Sequence, residues 1–233
     1  MHKSVLLAET LELLAVRPGG LYVDGTLGLG GHARAILEHS APGGRVIAFD
    51  KDAETMAAAR EALLPFGDRV RFVHADFREA EATLGSERAA GVLLDLGVSS
   101  LQLDAPERGF SFRTDGPLDM RMDRTTGPTA ADLVNRLPED ELANLIYRYG
   151  EERASRRIAR AIAEARQRRH FATTLELAEV VRRAAGRSRR PGLDPATLTF
   201  QALRIAVNGE LDQLEALLDA LPAVVVVGGV AAI

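Results

Sequence analysis

The stretch Asp24-Gly25-Thr26-Leu27-Gly28-Leu29-Gly30-Gly31 decides the fold. It follows a short apolar run, residues 21–24, and precedes a helical pattern at about residues 32–39. Glycines in such a turn let the backbone approach a ligand closely, and the helix that follows presents free amide groups. Asp50 ends the next apolar run, where a carboxylate can accept both hydroxyl groups of a ribose. Together these features predict a nucleoside-containing cofactor, whereas the turn alone also fits a purely structural connection.

Short apolar runs alternate with helical patterns over the first 100 residues, which is typical of a parallel α/β sheet. The predicted strands are residues 21–24, 45–50, 70–74 and 92–96, and the predicted helices are residues 4–16, capped by Ser4, 32–39 and 53–64. Each apolar run ends at or near an acidic residue. Polar residues at the carboxyl ends of buried parallel strands indicate a ligand cleft along that edge.

The pattern changes at Leu101. Residues 104–128 hold many charges without a stable period, which predicts a long ordered loop. Helical patterns follow at 129–135, 138–149, 151–169 and 174–185, and after a basic break at 188–193 one amphipathic helix is predicted from Asp194 through Leu218. We therefore predict two domains: a cofactor-binding domain of residues 1–105 plus 200–233, and an inserted helical domain of residues 106–199.

The net charge of −4 is unevenly distributed along the chain. Residues 106–199 contain 18 Arg against 14 Asp and Glu, a net charge of +4, so the rest of the chain carries −8. Between Arg153 and Arg190 the imbalance rises to 12 Arg against three Glu. A basic segment on an acidic body indicates a polyanionic partner, although a solvated helix face is the more common explanation of any one charge run.

Composition excludes several classes of site. The chain has no cysteine, which rules out disulfides, thiolate metal sites and catalytic thiols. Its first residues carry no signal-peptide pattern, and no stretch reaches the roughly 18 apolar residues of a membrane helix. The five histidines lack the spacing of metal ligands, so we expect no metal. A cytoplasmic protein without membrane contact is the expectation.

The carboxylate of Asp24 separates the possible cofactors. A dinucleotide places its pyrophosphate at the helix N-terminus, and an acidic residue at the end of the first strand would repel it. The same carboxylate suits an ammonium group, such as that of the methionine part of S-adenosylmethionine. Asp76 and Phe77, after the third strand, are candidates to contact an adenine ring, although Phe77 fits a core aromatic equally well.

Asp95 ends the fourth predicted strand, at the position that faces the transferred group in such a sheet. The run 92–98 has the composition of a buried strand, and burying a charged side chain is costly. We therefore expect a functional rather than a structural role for this carboxylate.

Longer motifs extend along the chain beyond these residues. They are Ser4-Val5-Leu6-Leu7, Asp24-Gly25-Thr26-Leu27-Gly28 with Gly30-Gly31-His32, Leu94-Asp95-Leu96-Gly97-Val98-Ser99-Ser100, Arg108-Gly109-Phe110-Ser111-Phe112, Gly116-Pro117-Leu118-Asp119-Met120-Arg121-Met122, Tyr149-Gly150-Glu151-Glu152-Arg153, Pro195-Ala196-Thr197, Phe200-Gln201-Ala202-Leu203-Arg204 and Val207-Asn208. With these motifs the sequence closely resembles the bacterial small-subunit ribosomal RNA N4-cytidine methyltransferases, the RsmH or MraW family. The resemblance spans about residues 2–220, and its loop motifs are far more specific than the glycine turn.

The resemblance implies a class I, Rossmann-like methyltransferase fold with an all-helical insertion after the fourth strand. It implies S-adenosyl-L-methionine as methyl donor and a cytidine in the decoding region of 16S ribosomal RNA as acceptor. Carried over by motif, the implied cofactor contacts are Gly30, Gly31, His32, Asp50, Phe77, Asp95 and Gln102. Reasoning from the residues themselves adds Asp24 and Gly28 to this set.

Methylation of a cytidine N4 needs help from the protein, because the lone pair of that amine is delocalised into the ring. The site must orient the amine and accept its proton, and we expect Asp95 or Asp119 to do so. The target base must also leave its stack. Phe110 and Phe112 are candidates to stack on it, although both equally fit anchors of a charged loop.

The basic segment would hold the RNA backbone. Arg153, Arg157 and Arg160 have the spacing of one helix face, and Arg156 adds a further cation. Some of these arginines fit equally well as solvated residues of an exposed helix face. The expected partner is small-subunit ribosomal RNA or the 30S particle.

The family pattern fails at residues 221–233, where relatives carry an arginine after the paired glycines and continue through further strands. We expect the last strands of the sheet to be missing and the open edge to favour self-association, with a homodimer as one outcome. Three functions remain open from sequence: an active methyltransferase; a truncated, catalytically impaired relative that binds S-adenosylmethionine or RNA without turnover; and a nicotinamide-dependent dehydrogenase, which Asp24 disfavours.

Overall fold

The structure, a computed structural model, describes residues 6–186 and 192–233. Backbone contacts divide the chain into two compact units, one formed by Met1–Ser99 with Leu211–Ile233 and the other by Ser100–Glu210. The second unit thus begins before and ends after the predicted insertion of residues 106–199. The predicted cap at Ser4 and most of the basic break at 188–193 lie outside the described residues.

The first unit contains a parallel sheet with the strand order β3-β2-β1-β4-β5 in the described part of the chain. Its strands are β1 (Leu21–Asp24), β2 (Arg45–Asp50), β3 (Val70–His74), β4 (Ala89–Leu93) and β5 (Val225–Ala232). Its helices are α1 (Leu7–Leu14), α2 (Gly31–His39), α3 (Ala53–Leu63), α4 (Ala80–Leu84) and α11 (Glu210–Val224), the last of which begins at the unit boundary. The predicted Rossmann-like α/β class is confirmed.

The register of the sheet aligns the carboxyl ends of its central strands. Asp24, the last residue of β1, lies beside Ala48 of β2 and Leu93 of β4. Asp50 and Asp95 each follow two residues after these partners. The three carboxyl residues therefore leave neighbouring strands at one edge of the sheet, as the sequence predicted.

Strands β1, β2 and β4 alternate their side chains between two apolar layers, because successive residues of a strand point to opposite faces. Tyr22, Val46 and Ala48 belong to one buried cluster, which includes residues of α1, α2 and α3. Val23 and Phe49 belong to the other, on the side of α4 and α11. Such two-sided burial is what holds a parallel sheet together.

The fourth strand lies three residues earlier than predicted, at Ala89–Leu93 rather than 92–96. The apolar run continues beyond it, but the backbone does not stay extended. Leu96 is exposed and Gly97 has a φ of 143°. Sequence periodicity located the apolar run correctly, but it did not show where within this run the strand ends.

The second unit is helical in its described residues. Its helices are α5 (Ser100–Asp104), α6 (Ala130–Arg136), α7 (Glu139–Gly150), α8 (Ser155–Arg166), α9 (Thr174–Ala185) and α10 (Thr197–Asn208). Helix α7 packs against α8 and α10, and α8 packs against α9. Gly150 permits the close approach of α7 to α10, since a Cβ there would lie 2.3 Å from the carbonyl oxygen of Leu198.

The prediction of one continuous helix from Asp194 through Leu218 is wrong. Gly209 has a φ of 61° and ends α10 in the left-handed conformation, and α11 begins at the next residue. Glycine adopts this conformation without a steric penalty, which makes it a common helix terminator. The amphipathic spacing on either side of Gly209 concealed the break.

No helix among the described residues is long and apolar enough to cross a membrane.

Candidate functional site

The glycines of the turn after β1 have different roles. A Cβ on Gly25 would lie 2.3 Å from a methyl group of Leu94, so packing alone excludes a side chain there. Gly28 has a φ of 54°, a Cβ there would meet the Thr26 carbonyl oxygen at an ordinary 3.8 Å, and its N–H donates to Asp50 Oδ2 at 3.0 Å. Gly30 packs against Leu63 of α3. Gly28 is thus the glycine of these three whose surroundings leave room for a ligand, and Gly31 lies exposed at the start of α2.

Asp24 is fully buried at the end of β1. Its Oδ1 accepts the N–H of Thr26 at 3.1 Å, and Oδ2 has no hydrogen-bond partner among the described residues. Burial raises the pKa of Asp24 to about 7, against the hydrogen bond from Thr26, and the nearby carboxylates of Asp50 and Asp95 raise it further. A buried carboxyl oxygen without a partner is costly, so it is expected at a functional site rather than in a purely structural core.

Asp50 links the glycine turn to the start of α3. Besides accepting from Gly28, its carboxylate accepts the N–H of Asp52 at 2.9 Å through Oδ1. Burial raises the pKa of Asp50 to about 6 although these two backbone donors lower it. Each oxygen keeps a lone pair for a further donor, so Asp50 is placed to accept hydroxyl groups of a ribose.

Asp95 is exposed, which corrects the prediction that it is buried within a strand. Its backbone N–H donates to Thr26 Oγ1 at 2.6 Å, and its carboxylate lies 3.9 Å from Nδ1 of the buried His32. Because β4 ends two residues earlier, the side chain projects from the edge of the sheet instead of into the core. The position supports function for a different reason than predicted, namely an accessible carboxylate beside an imidazole.

Phe77 lies in the core rather than on an open surface. It begins a short 3₁₀ turn, Phe77–Glu79, and is packed in the cluster that contains Phe49 and Leu94. Asp76 caps this turn and pairs with Arg78 and with Lys51. These contacts fit the core-aromatic interpretation of Phe77, and its contact with adenine stays a prediction.

Asp119, in the second unit, is held in a bidentate ion pair. Arg121 donates to Asp119 Oδ1 from Nε at 2.7 Å and to Oδ2 from Nη2 at 3.0 Å. Burial alone would raise the pKa of Asp119, but the hydrogen bonds and charge of Arg121, with the charge of Arg124, outweigh it and hold the pKa below its usual range. A carboxylate held so strongly as the anion is a weak proton acceptor.

Two buried polar residues that the sequence did not single out hold the backbone of residues 119–122. Asn208, at the end of α10, accepts the Met122 N–H at 2.8 Å and donates to the Met120 carbonyl at 2.8 Å. Arg108, 2% exposed, donates to the carbonyl groups of Arg121 and Met122. Met120 has a φ of 64°, a conformation that costs energy in a residue other than glycine and needs such support. The contacts of Asn208 span 86 and 88 positions of sequence, and those of Arg108 span 13 and 14 positions within a loop that has no periodicity, so no local pattern reports either set.

The remaining candidate residues of the second unit, Phe110, Phe112 and Gln102, are buried or packed against other side chains of that unit. Phe110 is buried, and Phe112 contacts the ring of Phe200 edge to face, with ring centroids 4.6 Å apart. The guanidinium of Arg182 lies 5.3 Å from the Phe112 ring. These positions fit the loop-anchor alternative, while stacking on a base stays a prediction. Gln102 lies on α5 and is buried.

The four candidate RNA-binding arginines are exposed. The predicted helix 151–169 is too long at both ends, since α8 begins at Ser155, so Arg153 precedes the helix and does not share its face. The other three have partners: Arg156 lies 3.8 Å from Asp140, Arg160 lies 3.8 Å from Glu139, and Arg157 donates to the Ala185 carbonyl at 2.8 Å. Exposed ion pairs contribute only about 0–1 kcal/mol, so phosphate groups can replace these carboxylates.

Comparison with known proteins decides the family. The model of the MraW methylase family matches residues 1–233. The chain belongs to the MraW methylase family. Three relatives carry the name ribosomal RNA small subunit methyltransferase H: one from Sorangium cellulosum, 56% identical over all of this chain and 74% of its own length; one from Citrifermentans bemidjiense, 53% identical over 98% and 74%; and one from Gloeobacter violaceus, 55% identical over 98% and 70%.

As a member of the MraW family, the chain is a methyltransferase whose cofactor is S-adenosyl-L-methionine. The residues present fit this donor. A Cβ at Gly28 would meet only the Thr26 carbonyl oxygen, at 3.8 Å, and the buried Asp24 has a carboxyl oxygen without a hydrogen-bond partner among the described residues. Asp50 and His32 lie at the same edge. No group of three metal-binding side chains occurs among the described residues.

Proposed function

We propose that this methyltransferase transfers the methyl group of S-adenosylmethionine to N4 of a cytidine in the decoding region of 16S ribosomal RNA. The names of the relatives give small-subunit ribosomal RNA as the substrate class. The observation that carries the proposal is the edge of the sheet where Asp24, Asp50 and Asp95 follow three neighbouring strands. Such an edge favours a cationic adenosyl donor and disfavours a pyrophosphate.

Side chains and backbone groups of the first unit hold the cofactor. S-adenosylmethionine supplies an electrophilic methyl group on a positively charged sulfur. Asp50 accepts the ribose hydroxyl groups, and Gly28 leaves the space in which the ligand approaches the turn. The N-terminus of α2, at Gly31 and His32, presents the positive end of a helix dipole, which suits the carboxylate of the ligand's methionine part rather than its sulfonium. Asp24 acts through its charge, since its side chain is closed to direct contact.

Asp95 is the proton acceptor in this proposal. The carboxylate is accessible, and its backbone is fixed by the hydrogen bond to Thr26. Transfer would form a bond between N4 and the methyl carbon and break the bond from that carbon to sulfur, which would leave as a neutral thioether. N4 would then have to lose a proton, and a carboxylate within hydrogen-bond distance could take it. The imidazole Nδ1 of His32 lies 3.9 Å from this carboxylate. Asp119 instead keeps Arg121 in place.

The helical unit recognises the RNA. Its exposed arginines, Arg153, Arg156, Arg157 and Arg160, supply positive charge for phosphate groups. Gln102 is carried over by motif as a cofactor contact. Phe110 and Phe112 are candidates to stack on the target base, and Phe112 is the less buried of the two. The helical unit thus supplies affinity, and the carboxyl edge supplies chemistry.

An alternative is a relative that binds S-adenosylmethionine or RNA without turnover. Family membership excludes the nicotinamide-dependent dehydrogenase. The two remaining functions share the cofactor site and differ only in transfer of the methyl group.

Methyl transfer to small ribosomal subunits that lack the modification tests the proposal. Labelled S-adenosylmethionine is incubated with the protein and 30S particles, and the labelled nucleotide is mapped and identified by mass spectrometry. We expect N4-methylcytidine at a single decoding-region position. Methylation at a ring carbon or a ribose would contradict the acceptor assignment, and cofactor binding without transfer would favour the alternative.

A further inference from the structure

The carboxyl edge of the first unit brings the carboxyl groups of Asp50 and Asp95 within electrostatic range of that of Asp24. Asp24 is fully buried with Oδ2 unpartnered among the described residues, and the charges of Asp50 and Asp95 act on it. Burial raises the pKa of Asp24 to about 7 and that of Asp50 to about 6. These groups interact, so they gain and lose protons as a set rather than singly.

We propose that the carboxyl pair of Asp24 and Asp50, beside Asp95, holds a proton in the ligand-free protein and releases it when a cationic adenosyl ligand binds, so that the site distinguishes the cationic methyl donor from its neutral thioether product. The inference rests on the proposed cofactor site and adds to it a mechanism of discrimination. Its basis is geometric: three carboxyl groups end neighbouring strands, and one of them is closed to solvent.

The charged groups that face the cluster come from several elements. His32 of α2 lies 3.9 Å from Asp95, and Asp52, which caps α3, adds a further negative charge beside Asp50. Lys51 is directed to Asp76, at 3.8 Å. A positive charge bound at this edge would therefore meet a cluster with a net negative charge once its proton has left.

The donor and its product differ in the charge on sulfur, to which the ionisation of the carboxyl cluster responds. The donor carries a positive charge on sulfur, and the product, S-adenosylhomocysteine, carries a neutral sulfur on an otherwise identical skeleton. A nearby cation stabilises the ionised carboxylates, whereas a neutral thioether leaves the proton in place. Binding of the cation is therefore linked to proton release, and binding of the product is linked to it much more weakly.

Calorimetry with two ligands tests the inference on the intact protein without any turnover. Sinefungin carries an amino group in place of the methyl sulfonium, and S-adenosylhomocysteine is its neutral counterpart. Each is titrated into the protein at pH 7 in two buffers of different ionisation enthalpy, which reports the number of protons released. The titrations are repeated at pH 6, 8 and 9.

We expect sinefungin to release about half a proton more than S-adenosylhomocysteine at pH 7, and the difference to vanish by pH 9, where the cluster is already ionised. The preference for sinefungin should rise roughly three- to tenfold from pH 6 to pH 8. Equal proton release by both ligands, with binding intact, would overturn the inference and leave the cofactor site standing. Failure of both ligands to bind would overturn the site and the inference together.

Variants identify the group that carries the proton. Asp24→Asn keeps the shape of the side chain and should abolish most of the difference in proton release between the ligands. Asp212→Asn, at an exposed position, is the matched control and should leave the difference unchanged. His32→Gln removes the imidazole that faces Asp95. If this variant rather than Asp24→Asn abolishes the release, the proton belongs to the histidine and the inference is wrong.

Discussion

Asp24 and Asp50 end adjacent strands in similar surroundings, yet their carboxyl groups differ in the number of hydrogen bonds that they accept. Asp50 accepts two backbone N–H groups, one at each oxygen, whereas one oxygen of Asp24 has no partner among the described residues. In the ligand-free fold this arrangement costs stability whenever Asp24 is ionised, because the unfolded chain would solvate the charge. A protein tolerates such a cost where the charge serves a ligand.

Because burial of the ionised Asp24 carboxylate is unfavourable, we expect the stability of the protein to depend on pH. The folded protein binds the Asp24 proton more tightly than the unfolded chain, so the free energy of unfolding falls as pH rises from about 4 to about 7. The Asp24→Asn variant lacks this pH-dependent contribution to the free energy of unfolding. Its stability relative to the natural protein should therefore increase by up to about 4 kcal/mol between pH 4 and pH 8. Urea denaturation at both pH values measures it.

The matched control for this prediction is Asp212→Asn, since Asp212 is exposed on α11. Its relative stability should not change with pH. Parallel pH profiles for the natural protein and Asp24→Asn would show that Asp24 is not the buried acid that the structure describes.

We expect the substitution of Asp by Asn to lower the rate of methyl transfer at position 95 and to lower stability at position 119. Asp95→Asn removes an accessible proton acceptor that has no bidentate partner, so the rate constant of methyl transfer should fall about 10²- to 10⁴-fold with little change in stability. Asp119→Asn breaks the pairing with Arg121 and should lower the free energy of unfolding by roughly 1–3 kcal/mol. Single-turnover kinetics and urea denaturation of both variants separate the roles. A full rate for Asp95→Asn would remove it from the chemistry.

The sequence was informative about single residues where a local rule places them. Asp24 and Asp50 follow from two short-range features, a strand and a glycine turn, and from the general rule that parallel strands align their carboxyl ends. The exposure of Asp95 could not be predicted, because apolar residues continue beyond the end of β4. The role of Asn208 also escaped prediction, because its partners are distant in sequence, and that of Arg108 escaped because its partners lie in a loop without periodicity.

At the level of elements, the conformation of residues 119–122 depends on α10. Asn208 at the end of this helix bonds to Met120 and Met122, and Arg108 bonds to the carbonyl groups of residues 121 and 122. The left-handed backbone of Met120 is maintained by this double support. The long loop, which has no periodicity of its own, is thus ordered by side chains from the elements around it.

Loss of Asn208 should release this loop. Asn208→Ala leaves a buried N–H and carbonyl unpaired, at roughly 1–3 kcal/mol for each such group, so we expect a loss of about 3 kcal/mol in the free energy of unfolding. Asn144→Ala, at an exposed position of α7, is the control and should change stability little. Chemical denaturation measures both. An Asn208→Ala protein as stable as the control would contradict the support described here.

The helix boundaries illustrate the limits of periodicity. Predicted and observed bounds agree for α9, which Thr173 begins with a capping box, because its start signal is local. They disagree at Gly209, where one apolar repeat continues across two helices. Periodicity reports which face is buried and does not report whether the backbone continues.

At the scale of the whole molecule, charge and fold divide along the same line. The acidic parts of the sequence form the unit with the sheet, and the arginine-rich segment lies in the helical unit. The sequence predicted both parts, since composition and apolar spacing change near residue 100. The exact boundaries depend on tertiary contacts and were displaced by several residues.

This division predicts a steep salt dependence of RNA binding. Each phosphate neutralised by an arginine releases a counterion, so affinity for ribosomal RNA should fall severalfold or more as salt rises from 50 to 200 mM. Arg153→Glu combined with Arg156→Glu should weaken binding and flatten this dependence. The control is Arg88→Glu, at an exposed position of the first unit. Filter binding over a salt series measures the effect, and unchanged affinity in the double variant would count against this surface.

The claim that the carboxyl ends of β1, β2 and β4 hold the methyl donor is tested most directly by a crystal structure of the protein with S-adenosylhomocysteine. We predict the ribose hydroxyl groups within hydrogen-bond distance of the Asp50 carboxylate and the amino-acid part of the ligand beside the turn that contains Gly28. An adenosine bound at another surface, with this edge of the sheet left to solvent, would contradict the claim.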